Sequence, residues 1–532
     1  MNLQGLNFIG NELSGIGDET FFAFDPVKNK QLAPAFFEAE LSEVDWALDK
    51  AEEAFSETRA LSAEQRGKFL REIARRIMDL GEELINRAMS ETGLPEARLV
   101  GERGRTVNQI LLFADLVEEG SWVEARIDTA DPGRAPIPKP DVRRMLRPLG
   151  PVAVFGASNF PLAFSVAGGD TASALAAGNP VVIKAHPAHP GTSELVAGAI
   201  IEAALETSMP DGVFSMLHGA RHGIGLHIVC HPAVKAVGFT GSLVGGRALF
   251  DAAASREAPI PIYAEMGSTN PVFLLPGALG DRAVEIAKGF HQSVTLGVGQ
   301  FCTNPGLAIA VEGEGLQCFI DEFVKLTTDY SPGTMLHPGI REAYESAVAE
   351  IESKSGVEVL ARSKTLPEEG GTEAAGIFFG TKAAEFLADS DLSAEIFGPS
   401  TILVTCRSKE EVFWLARTLE GHLTSTLHAN GDDLEQYQDL VPILEEKVGR
   451  LVLNGFPTGV EVCHAMHHGG PYPATTDVRE TSVGSAAIGR FARPVCYQDF
   501  PESSLPVELK NSNPRGIWRL INGEFTRDDV TR

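Results

Sequence analysis

The stretch AVKAVGFTGSLVGG, residues 233–246, decides the fold class of this chain. Its first half, Ala233–Phe239, is apolar apart from one lysine, which predicts a short buried strand. Gly241 and Ser242 then open a predicted helix that includes Gly245. A helix N-terminus directly after a strand is a favourable site for a pyrophosphate. Because the spacing differs from G-x-G-x-x-G, these glycines alone are weak support for a dinucleotide site.

The same order of strand and helix continues towards the N-terminus. Val152–Phe155 and Val181–Lys184 predict two more buried strands. Three helices are predicted between the strands, at Asp170–Ala177, Thr192–Glu206 and Gly223–Cys230. A second alternating region runs from Asn270 to about Leu453. Alternation of this kind predicts an α/β fold with parallel sheets and crossover helices.

The region before these strands is predicted to be helical. Ser42 with Asp45, and Ser62 with Gln65, form capping-box pairs that predict two helix starts. Ile127–Met145 is different, since its four prolines and many charges predict a linker or an extended arm.

Composition excludes several classes of partner. The chain has 532 residues, 45 basic and 72 acidic, with a formal net charge of −27, which argues against binding to nucleic acid or anionic lipid. Its uncharged stretches, Pro148–Gly169 and Gly289–Val311, are interrupted by polar residues and glycine, so we interpret them as buried interior rather than membrane spans. The six cysteines form no C-x-x-C pair, and residues 1–4 do not resemble a signal peptide. A reducing, cytoplasmic location is therefore expected.

Cys302 is the candidate nucleophile. It lies in GVGQFCTNPG, residues 297–306, where glycines on both sides allow close approach of the backbone to a ligand. Most buried cysteines act only as small apolar side chains. The flanking pattern favours a reactive thiol here instead.

Two further motifs carry candidate catalytic groups. Glu265 lies in YAEMGSTNP, residues 263–271, between apolar neighbours, so we expect burial to raise its pKa and to suit it to general base catalysis. Asn159 lies in GASNFP, residues 156–161. It is either an ordinary turn residue or an amide that donates to an oxyanion.

Together these motifs resemble the aldehyde dehydrogenase superfamily over nearly the whole chain. The matching motifs, in the order and spacing of that family, are Asn-Phe-Pro at 159–161, Lys184, Phe-Thr-Gly-Ser at 239–242, Glu-Met-Gly at 265–267, Gly-Gln-x-Cys at 299–302 and Glu-Ile-Phe-Gly-Pro at 395–399. None is decisive alone, but jointly they are highly specific.

The resemblance implies a covalent mechanism. The Cys302 thiolate would attack an aldehyde carbon, with the oxyanion held by the Asn159 amide and the Cys302 backbone N–H. Glu265 would activate the water that hydrolyses the resulting thioester. Members of the family that pass the acyl group to coenzyme A commonly lack this glutamate, so its presence implies release of a free acid.

The resemblance also implies a dinucleotide site. Glu395 and Phe397 would bind its nicotinamide end and Lys184 its adenosine ribose, with the pyrophosphate over the helix at Gly241, Ser242 and Gly245. Members that prefer NAD commonly carry an acid three residues after the lysine, where this chain has Pro187. We therefore favour NADP, with NAD as the competing choice. The candidate contacts to a 2′-phosphate are His186, Arg221 and His222.

The segment VCHAMHHGGP, residues 462–471, departs from the common pattern. It resembles an NADP-linked branch that includes 2,5-dioxopentanoate dehydrogenases and a bacterial fatty aldehyde dehydrogenase. In that branch His464 would lie near the nucleophile, and Cys463 would line the same pocket. A metal site at these histidines is not favoured, because no ligand pattern flanks them.

A dicarboxylic semialdehyde needs a cation for its distal carboxylate. Arg105 is the candidate, with Gln109 four residues later on the same helix face. We predict NADP-dependent oxidation of 2,5-dioxopentanoate to 2-oxoglutarate. The alternatives are a fatty or aromatic aldehyde dehydrogenase, and a non-catalytic binding protein on the same fold.

The resemblance implies three structural parts. A discontinuous, Rossmann-type cofactor domain would comprise residues 1–126 and 148–266, and a catalytic domain residues 267–484. Residues 127–147 and 485–532 would form an oligomerisation arm with a C-terminal extension. A homodimer or homotetramer is expected.

Overall fold

The computed structural model describes residues 3–368 and 370–530. The strands, in chain order, are β1 (Asn7–Ile9), β2 (Glu12–Ser14), β3 (Thr20–Asp25), β4 (Lys30–Phe37), β5 (Arg126–Asp128), β6 (Val142–Pro148), β7 (Val152–Phe155), β8 (Val181–Lys184), β9 (Phe214–Leu217), β10 (Ala236–Thr240), β11 (Ile262–Glu265), β12 (Val272–Leu274), β13 (Leu307–Val311), β14 (Gly333–Thr334), β15 (Val357–Arg362), β16 (Glu373–Ala374), β17 (Ile377–Lys382), β18 (Ser400–Cys406), β19 (His422–His428), β20 (Val448–Leu453), β21 (Ala492–Gln498), β22 (Arg519–Ile521) and β23 (Glu524–Thr526).

The α-helices are distributed between these strands. They are α1 (Leu41–Thr58), α2 (Ala63–Asp79), α3 (Gly81–Thr92), α4 (Glu96–Glu119), α5 (Gly169–Ala177), α6 (Pro190–Glu206), α7 (His222–Cys230), α8 (Leu243–Ala254), α9 (Pro276–Thr295), α10 (Glu314–Asp329), α11 (Pro338–Glu352), α12 (Ala383–Ala388), α13 (Lys409–Thr418), α14 (Asp433–Gln436) and α15 (Leu440–Glu445).

A seven-stranded sheet forms the first half of the molecule, in the order β11-β10-β7-β8-β9-β1-β2. Its strands from β11 to β9 are parallel, and β1 joins β9 in the antiparallel sense. The α/β prediction is confirmed, and β7 and β8 have the predicted bounds. The predicted strand at Ala233–Phe239 begins later, at Ala236, because Val234 still donates its backbone N–H to His231 in a turn.

A second seven-stranded sheet follows, in the order β15-β17-β18-β13-β12-β19-β20. All neighbouring pairs are parallel except β15 with β17. Its central strands are buried on both faces, as expected for parallel strands covered by helices.

A five-stranded sheet, β21-β6-β5-β22-β23, joins two distant parts of the chain. β6 pairs with β21 over seven residues. The sheet therefore unites strands from the segments assigned to the oligomerisation arm, while the domain division and the arm's role stay predictions.

Helix starts show what local sequence can and cannot predict. The capping box of Ser62 with Gln65 is confirmed at the start of α2. The box predicted for Ser42 with Asp45 is wrong. α1 instead begins after Glu40, because the buried Glu43 carboxylate accepts the Glu40 backbone N–H at 2.8 Å.

Among the described residues, none of the helices combines the length and the apolarity needed to cross a membrane.

The sheets bring the predicted motifs together at strand ends. Glu265 is the last residue of β11 and pairs with Thr240, the last residue of β10. The Cys302 loop leads into β13 of the second sheet. Ligand sites of parallel α/β sheets lie beyond the carboxyl ends of strands, which is where these motifs lie.

Candidate active site

The loop that carries Cys302 is shaped by a left-handed turn. After α9 ends, Gly297, Val298 and Gly299 have φ values of 55°, 59° and 69°. A Cβ on Gly299 would lie 2.1 Å from the carbonyl oxygen of Gly398, so only glycine fits there.

Asn270 fixes the other side of this loop. Its side-chain Nδ2 donates to the carbonyl oxygens of Cys302 and Asn304, each at 2.9 Å. It is fully buried, and its φ of 47° is one that asparagine adopts more readily than most residues. Asn270 is therefore a positioning residue, which the sequence analysis did not single out.

Cys302 lies beside an acid and a histidine. Its Sγ is 3.6 Å from Nε2 of His468, and the same Nε2 is 3.1 Å from Oε1 of Glu265. The Ser482 hydroxyl donates to Oε2 of Glu265 at 2.6 Å. Glu265 and His468 are buried, whereas Cys302 keeps part of its surface exposed. Cys302 is therefore the least buried member of the cluster.

The pKa values of this cluster diverge. Burial alone would raise the pKa of Glu265, but His468, Ser482 and the Cys302 thiol together lower it below its usual value. The expectation of a raised pKa is therefore wrong. Burial and the charge of Glu265 raise the pKa of Cys302 well above its usual value. These two shifts favour an ionised Glu265 carboxylate and a protonated Cys302 thiol at neutral pH.

The histidine at the nucleophile is His468, not His464. His464 is exposed, whereas the His468 ring is buried and its backbone N–H donates to the Thr481 hydroxyl at 2.8 Å. Nε2 of His468 lies at ion-pair distance from Oε1 of Glu265, whereas Nδ1 has no hydrogen-bond partner within residues 3–368 and 370–530.

A local signal for His468 was present in the two glycines that follow it. A Cβ on Gly469 would lie 2.4 Å from the carbonyl oxygen of Glu480, and one on Gly470 would lie 2.2 Å from that of His422. These close approaches fix the backbone directly after His468, whereas no such constraint follows His464.

The same three side chains could also hold a metal ion. The ligand atoms of Glu265, Cys302 and His468 lie within 4.8 Å of one another. Two chemistries are thus compatible with the cluster: a nucleophile with acid–base partners, and a metal ligand set.

Asn159 lies in the turn after β7. Its Nδ2 donates to the carbonyl oxygen of Gln300 at 3.1 Å, two residues before Cys302. His189 supports this turn, since its Nε2 is hydrogen-bonded to the carbonyl oxygen of Ala157 at 2.9 Å. The Asn159 amide is therefore beside the nucleophile loop and retains a second N–H for a ligand.

Arg105, on α4, is linked to the catalytic cluster through an aromatic ring. Its guanidinium lies 5.2 Å from the ring centroid of Phe164, which is 6.2 Å from the His468 ring. Burial lowers the pKa of Arg105, while the charges of Glu102, Cys302 and Glu265 oppose that shift.

Arg450, on β20, is a second cation that the sequence analysis missed. Its guanidinium donates to the carbonyl oxygens of Pro457 and Gly459, at 2.6 and 2.9 Å. Burial lowers its pKa and the charge of Cys302 opposes that shift. The one available signal was an arginine within an otherwise apolar strand.

The other predicted substrate residues are less clearly placed. Gln109 is buried, and its Nε2 has no hydrogen-bond partner within residues 3–368 and 370–530. A Cβ on Gly169 would lie 2.9 Å from that nitrogen and 2.8 Å from the Ser482 carbonyl oxygen. Cys463 is half-buried in the loop that leads to His468.

Lys184 and His186 follow β8. Burial lowers the pKa of Lys184 to about 8, and the charge of Glu38 opposes the shift. Its Nζ donates to the carbonyl oxygen of Gly219. The His186 ring lies 5.7 Å from that of His189 and 6.4 Å from that of His337, and burial lowers its pKa well below the usual value.

Arg221 is not a free cation. It forms ion pairs with Glu19 and with Glu38, the latter at 3.5 Å. Neighbouring His222 is exposed at the first position of α7.

The strand-to-helix turn at 240–243 has the predicted form. Gly241 is exposed, and Ser242 caps α8 by accepting the Gly245 backbone N–H at 3.2 Å. The N-terminus of α8 therefore presents backbone N–H groups next to the end of β10.

Glu395 lies over the strand end that carries Glu265. A Cβ on Gly267 would lie 2.6 Å from Oε2 of Glu395, whose Oε1 accepts the Ser268 N–H at 3.2 Å. Burial raises its pKa to about 7. Phe397 is half-buried in the same segment. The lysine and the capped helix N-terminus offer donors to phosphate and ribose oxygens, and the carboxylate offers acceptors to ribose hydroxyls, a combination that fits a dinucleotide.

Comparisons with known proteins identify the family of the chain. A model described as "Aldehyde dehydrogenase family" matches residues 14–482. "Alpha-ketoglutaric semialdehyde dehydrogenase 2" of Azospirillum brasilense is 50% identical over 525 residues, covering 98% of this chain and 100% of that protein. "Alpha-ketoglutaric semialdehyde dehydrogenase" of Acinetobacter baylyi is 43% identical over 525 residues, covering 99% of both chains.

Solved structures share the fold at lower identity. PnpE in complex with nicotinamide adenine dinucleotide has a TM-score of 0.79 and 23% identity, covering 93% of this chain and 97% of that one. Gamma-glutamyl-gamma-aminobutyraldehyde dehydrogenase from Burkholderia cenocepacia has a TM-score of 0.79 and 21% identity, covering 94% and 97%.

Proposed function

The chain belongs to the aldehyde dehydrogenase family, and from that membership we propose that it oxidises α-ketoglutaric semialdehyde (2,5-dioxopentanoate) to 2-oxoglutarate. The chain is an NAD(P)-dependent aldehyde dehydrogenase, and the proposal concerns its substrate and the roles of its residues. Both curated relatives are named for this substrate. The observation that carries the proposal is the cluster in which Nε2 of His468 lies close to both the Cys302 sulfur and the Glu265 carboxylate.

The first step is deprotonation of Cys302. The raised pKa of the thiol and the lowered pKa of Glu265 oppose proton transfer in the resting enzyme, so the proton passes to Glu265 in concert with attack of the sulfur on the aldehyde carbon. The Nε2–H of His468 lies between Sγ and the carboxylate and stabilises whichever of them is charged.

The attack turns the aldehyde oxygen into an oxyanion. The free N–H of the Asn159 amide and the backbone N–H of Cys302 are its proposed donors. Asn270 contributes indirectly, because it holds the carbonyl groups of Cys302 and Asn304 and thereby orients the loop.

A bound nicotinamide supplies the hydride acceptor, so that one aldehyde, one water and one oxidised cofactor yield one carboxylate, one reduced cofactor and two protons. Lys184, the N-terminus of α8 at Ser242, and Glu395 would hold the cofactor. Glu265, once deprotonated again, then takes a proton from the water that cleaves the Cys302 thioester.

Recognition of the distal carboxylate is assigned to cations. Arg105 and Arg450 are partly buried, and a thiolate at Cys302 would raise the pKa of either guanidinium. A buried guanidinium is a strong and selective donor to a carboxylate. We therefore propose Arg105 and Arg450 as substrate residues, and Gln109 and Cys463 as further residues of the substrate pocket.

A fatty or aromatic aldehyde is the second candidate. It is favoured by an apolar cluster beside the site, in which Ala157, Ala163, Phe164 and Val483 are buried. A panel of aldehydes decides between the two. The proposal expects a higher kcat/KM for the keto-semialdehyde than for a five-carbon or longer alkanal, and the reverse order would contradict it.

The metal alternative is tested in the same assay. Acid–base chemistry at Cys302 needs the thiol free, so we propose that no zinc occupies the cluster in the active enzyme. Full activity after dialysis against a chelator is expected, whereas activity that is lost and then restored by zinc would favour the ligand set.

The preferred cofactor is either NADP or NAD. NADP, predicted from Pro187, is supported by the lack of an acid at that position. NAD is favoured by the ion pairs that balance Arg221, the candidate phosphate contact. We propose that NAD is used more efficiently. A cytoplasmic location and a homodimeric or homotetrameric assembly are likewise proposals.

A further inference from the structure

We propose that Glu38 is the residue that discriminates between NAD and NADP, by occupying with its own carboxylate the anion cradle where a 2′-phosphate would bind. This inference rests on the proposed function only in that a dinucleotide binds with its adenosine ribose at Lys184. Glu38 follows β4, in the N-terminal hairpin, and is far from the cofactor motifs in sequence.

The cradle consists of backbone N–H groups in the turn after β9. The Ala220 N–H donates to both oxygens of Glu38, at 2.9 and 2.8 Å, and the Arg221 N–H donates to Oε1 at 3.0 Å. Only 5% of the Glu38 side chain is exposed. Consecutive N–H groups of this kind form an anion-binding concavity. Here the anion is supplied by the protein.

The Arg221 side chain, the cation next to the cradle, is also paired with carboxylates. Arg221 lies 3.5 Å from Oε1 of Glu38 and also pairs with Glu19, which lies on the same hairpin. One guanidinium therefore faces two carboxylates, so a phosphate at Arg221 would compete with both of them for it.

Glu38 and Lys184 meet across Gly219. A Cβ on Gly219 would lie 3.4 Å from Cε of Lys184 and 3.5 Å from Oε2 of Glu38. The ammonium group itself donates to the Gly219 carbonyl oxygen. The carboxylate that opposes a 2′-phosphate thus lies beside the residue proposed to hold the adenosine ribose, although Pro187 supplies no acid.

The consequence differs between the two cofactors. A 2′-phosphate would face the negative charge of Glu38 and compete with it for the N–H groups of Ala220 and Arg221. A 2′-hydroxyl needs only one acceptor and carries no charge. Like charges at short range in a partly buried site disfavour binding, so the chain is expected to bind NAD more tightly than NADP.

The test is a calorimetric titration of the purified enzyme with NAD and with NADP in the absence of aldehyde. The wild-type protein is expected to bind NAD more tightly. In Glu38→Gln the amide oxygen still accepts the two backbone N–H groups, but the charge is gone. The affinity for NADP is expected to rise roughly tenfold, equivalent to one pK unit of interaction, while that for NAD stays unchanged.

Glu19→Gln is the matched variant, since it frees Arg221 in part but leaves the cradle filled. It is expected to raise NADP affinity less than Glu38→Gln. An equal gain in both variants would mean that Arg221 alone decides, and no gain in Glu38→Gln would overturn the proposal. If that variant fails to fold, tighter NADP than NAD binding by the wild-type protein overturns it instead.

The outcome is separable from the proposed substrate. These titrations use no aldehyde, so the Glu38 proposal stands or falls whichever aldehyde is oxidised. Conversely, oxidation of the keto-semialdehyde with an unchanged NADP affinity in Glu38→Gln would support the proposed function and refute the role of Glu38.

Discussion

The two ends of the proposed cofactor and substrate site are built in opposite ways. At the catalytic end, Cys302, Glu265 and His468 are in contact, and the pKa values of the thiol and the acid move apart. At the adenosine end, Glu38 and Arg221 neutralise each other and the backbone N–H groups around them.

The difference indicates what each end can do. Groups whose pKa values are strongly perturbed and which lie close to a nucleophile are suited to chemistry. Groups that are already paired are suited to selecting between similar ligands, because any new charge must disturb an existing balance. Substitutions at the catalytic end should therefore change the rate of aldehyde oxidation by orders of magnitude. Substitutions at the adenosine end should change the relative affinities for NAD and NADP.

Replacing Cys302 by Ala is expected to have the largest effect. Without the sulfur no thiohemiacetal forms, and kcat is expected to fall by on the order of 10⁴ or more, as when a covalent nucleophile is removed elsewhere. Steady-state formation of reduced cofactor measures this, and calorimetry should show unchanged cofactor binding. Retained turnover would refute the catalytic assignment.

Glu265→Gln is expected to lower the steady-state rate by about 10²–10⁴, the range typical of a lost general base. The amide accepts no proton from water, so hydrolysis of the thioester slows, whereas loss of the carboxylate charge leaves more of Cys302 as thiolate and thioester formation continues. The loss should be in kcat, measured at saturating aldehyde. A change confined to KM would mean that Glu265 only helps to bind substrate.

Replacing His468 by Ala should lower kcat by about 10², at the low end of acid–base contributions, because its N–H stabilises the charged partners without accepting the proton. His464→Ala is the sharpest comparison, since that exposed side chain lies four residues away. Its activity should match the wild type. Equal losses in both variants would contradict the assignment of His468.

Arg105→Gln is expected to reduce kcat/KM for the keto-semialdehyde by roughly 10- to 100-fold, the value of a hydrogen bond to a charged group. The kcat/KM for pentanal should change little, since it has no distal carboxylate. Arg103→Gln on the same helix is the control, because its guanidinium donates to the Gly81 carbonyl at 2.8 Å. Equal losses for both aldehydes in Arg105→Gln would argue for a structural role.

The smallest expected effect concerns thiol reactivity. Burial and the charge of Glu265 raise the pKa of Cys302. In Glu265→Gln the charge is removed, so the pKa falls and the thiolate fraction at pH 7–8 rises by about tenfold per unit. Alkylation by iodoacetamide should become faster and its pH profile should move to lower pH. A profile shifted upward would mean that Glu265 does not face the thiol.

The same contrast explains which parts were predictable from sequence. Short motifs at strand ends contain Cys302, Glu265 and Asn159. Buried strands such as β7 and β8 can be predicted from local runs of apolar residues. Parallel pairing then brings the strand ends together. A short motif is enough to predict the loop that carries it, and the order of strands in the sheet predicts which loops lie next to each other.

Prediction failed where a long-range contact decides the outcome. His468 was missed because residues 462–471 form an irregular loop. Without the repeat of a helix or strand, the sequence does not indicate which side chains of the loop are buried. The pKa of Glu265 was predicted with the wrong sign because its partner, His468, is distant in sequence. Glu38 gave no local signal, since its partners Ala220 and Arg221 lie on the turn after β9.

Rapid mixing of Glu265→Gln with the keto-semialdehyde and cofactor tests the central claim most directly. The account holds that Cys302 forms a thioester that Glu265 helps to hydrolyse. It predicts a burst of about one equivalent of reduced cofactor per site, a nearly absent steady state, and an acyl group on Cys302 in the mass of the intact protein. Either no burst, or continued turnover without a trapped acyl group, would contradict it.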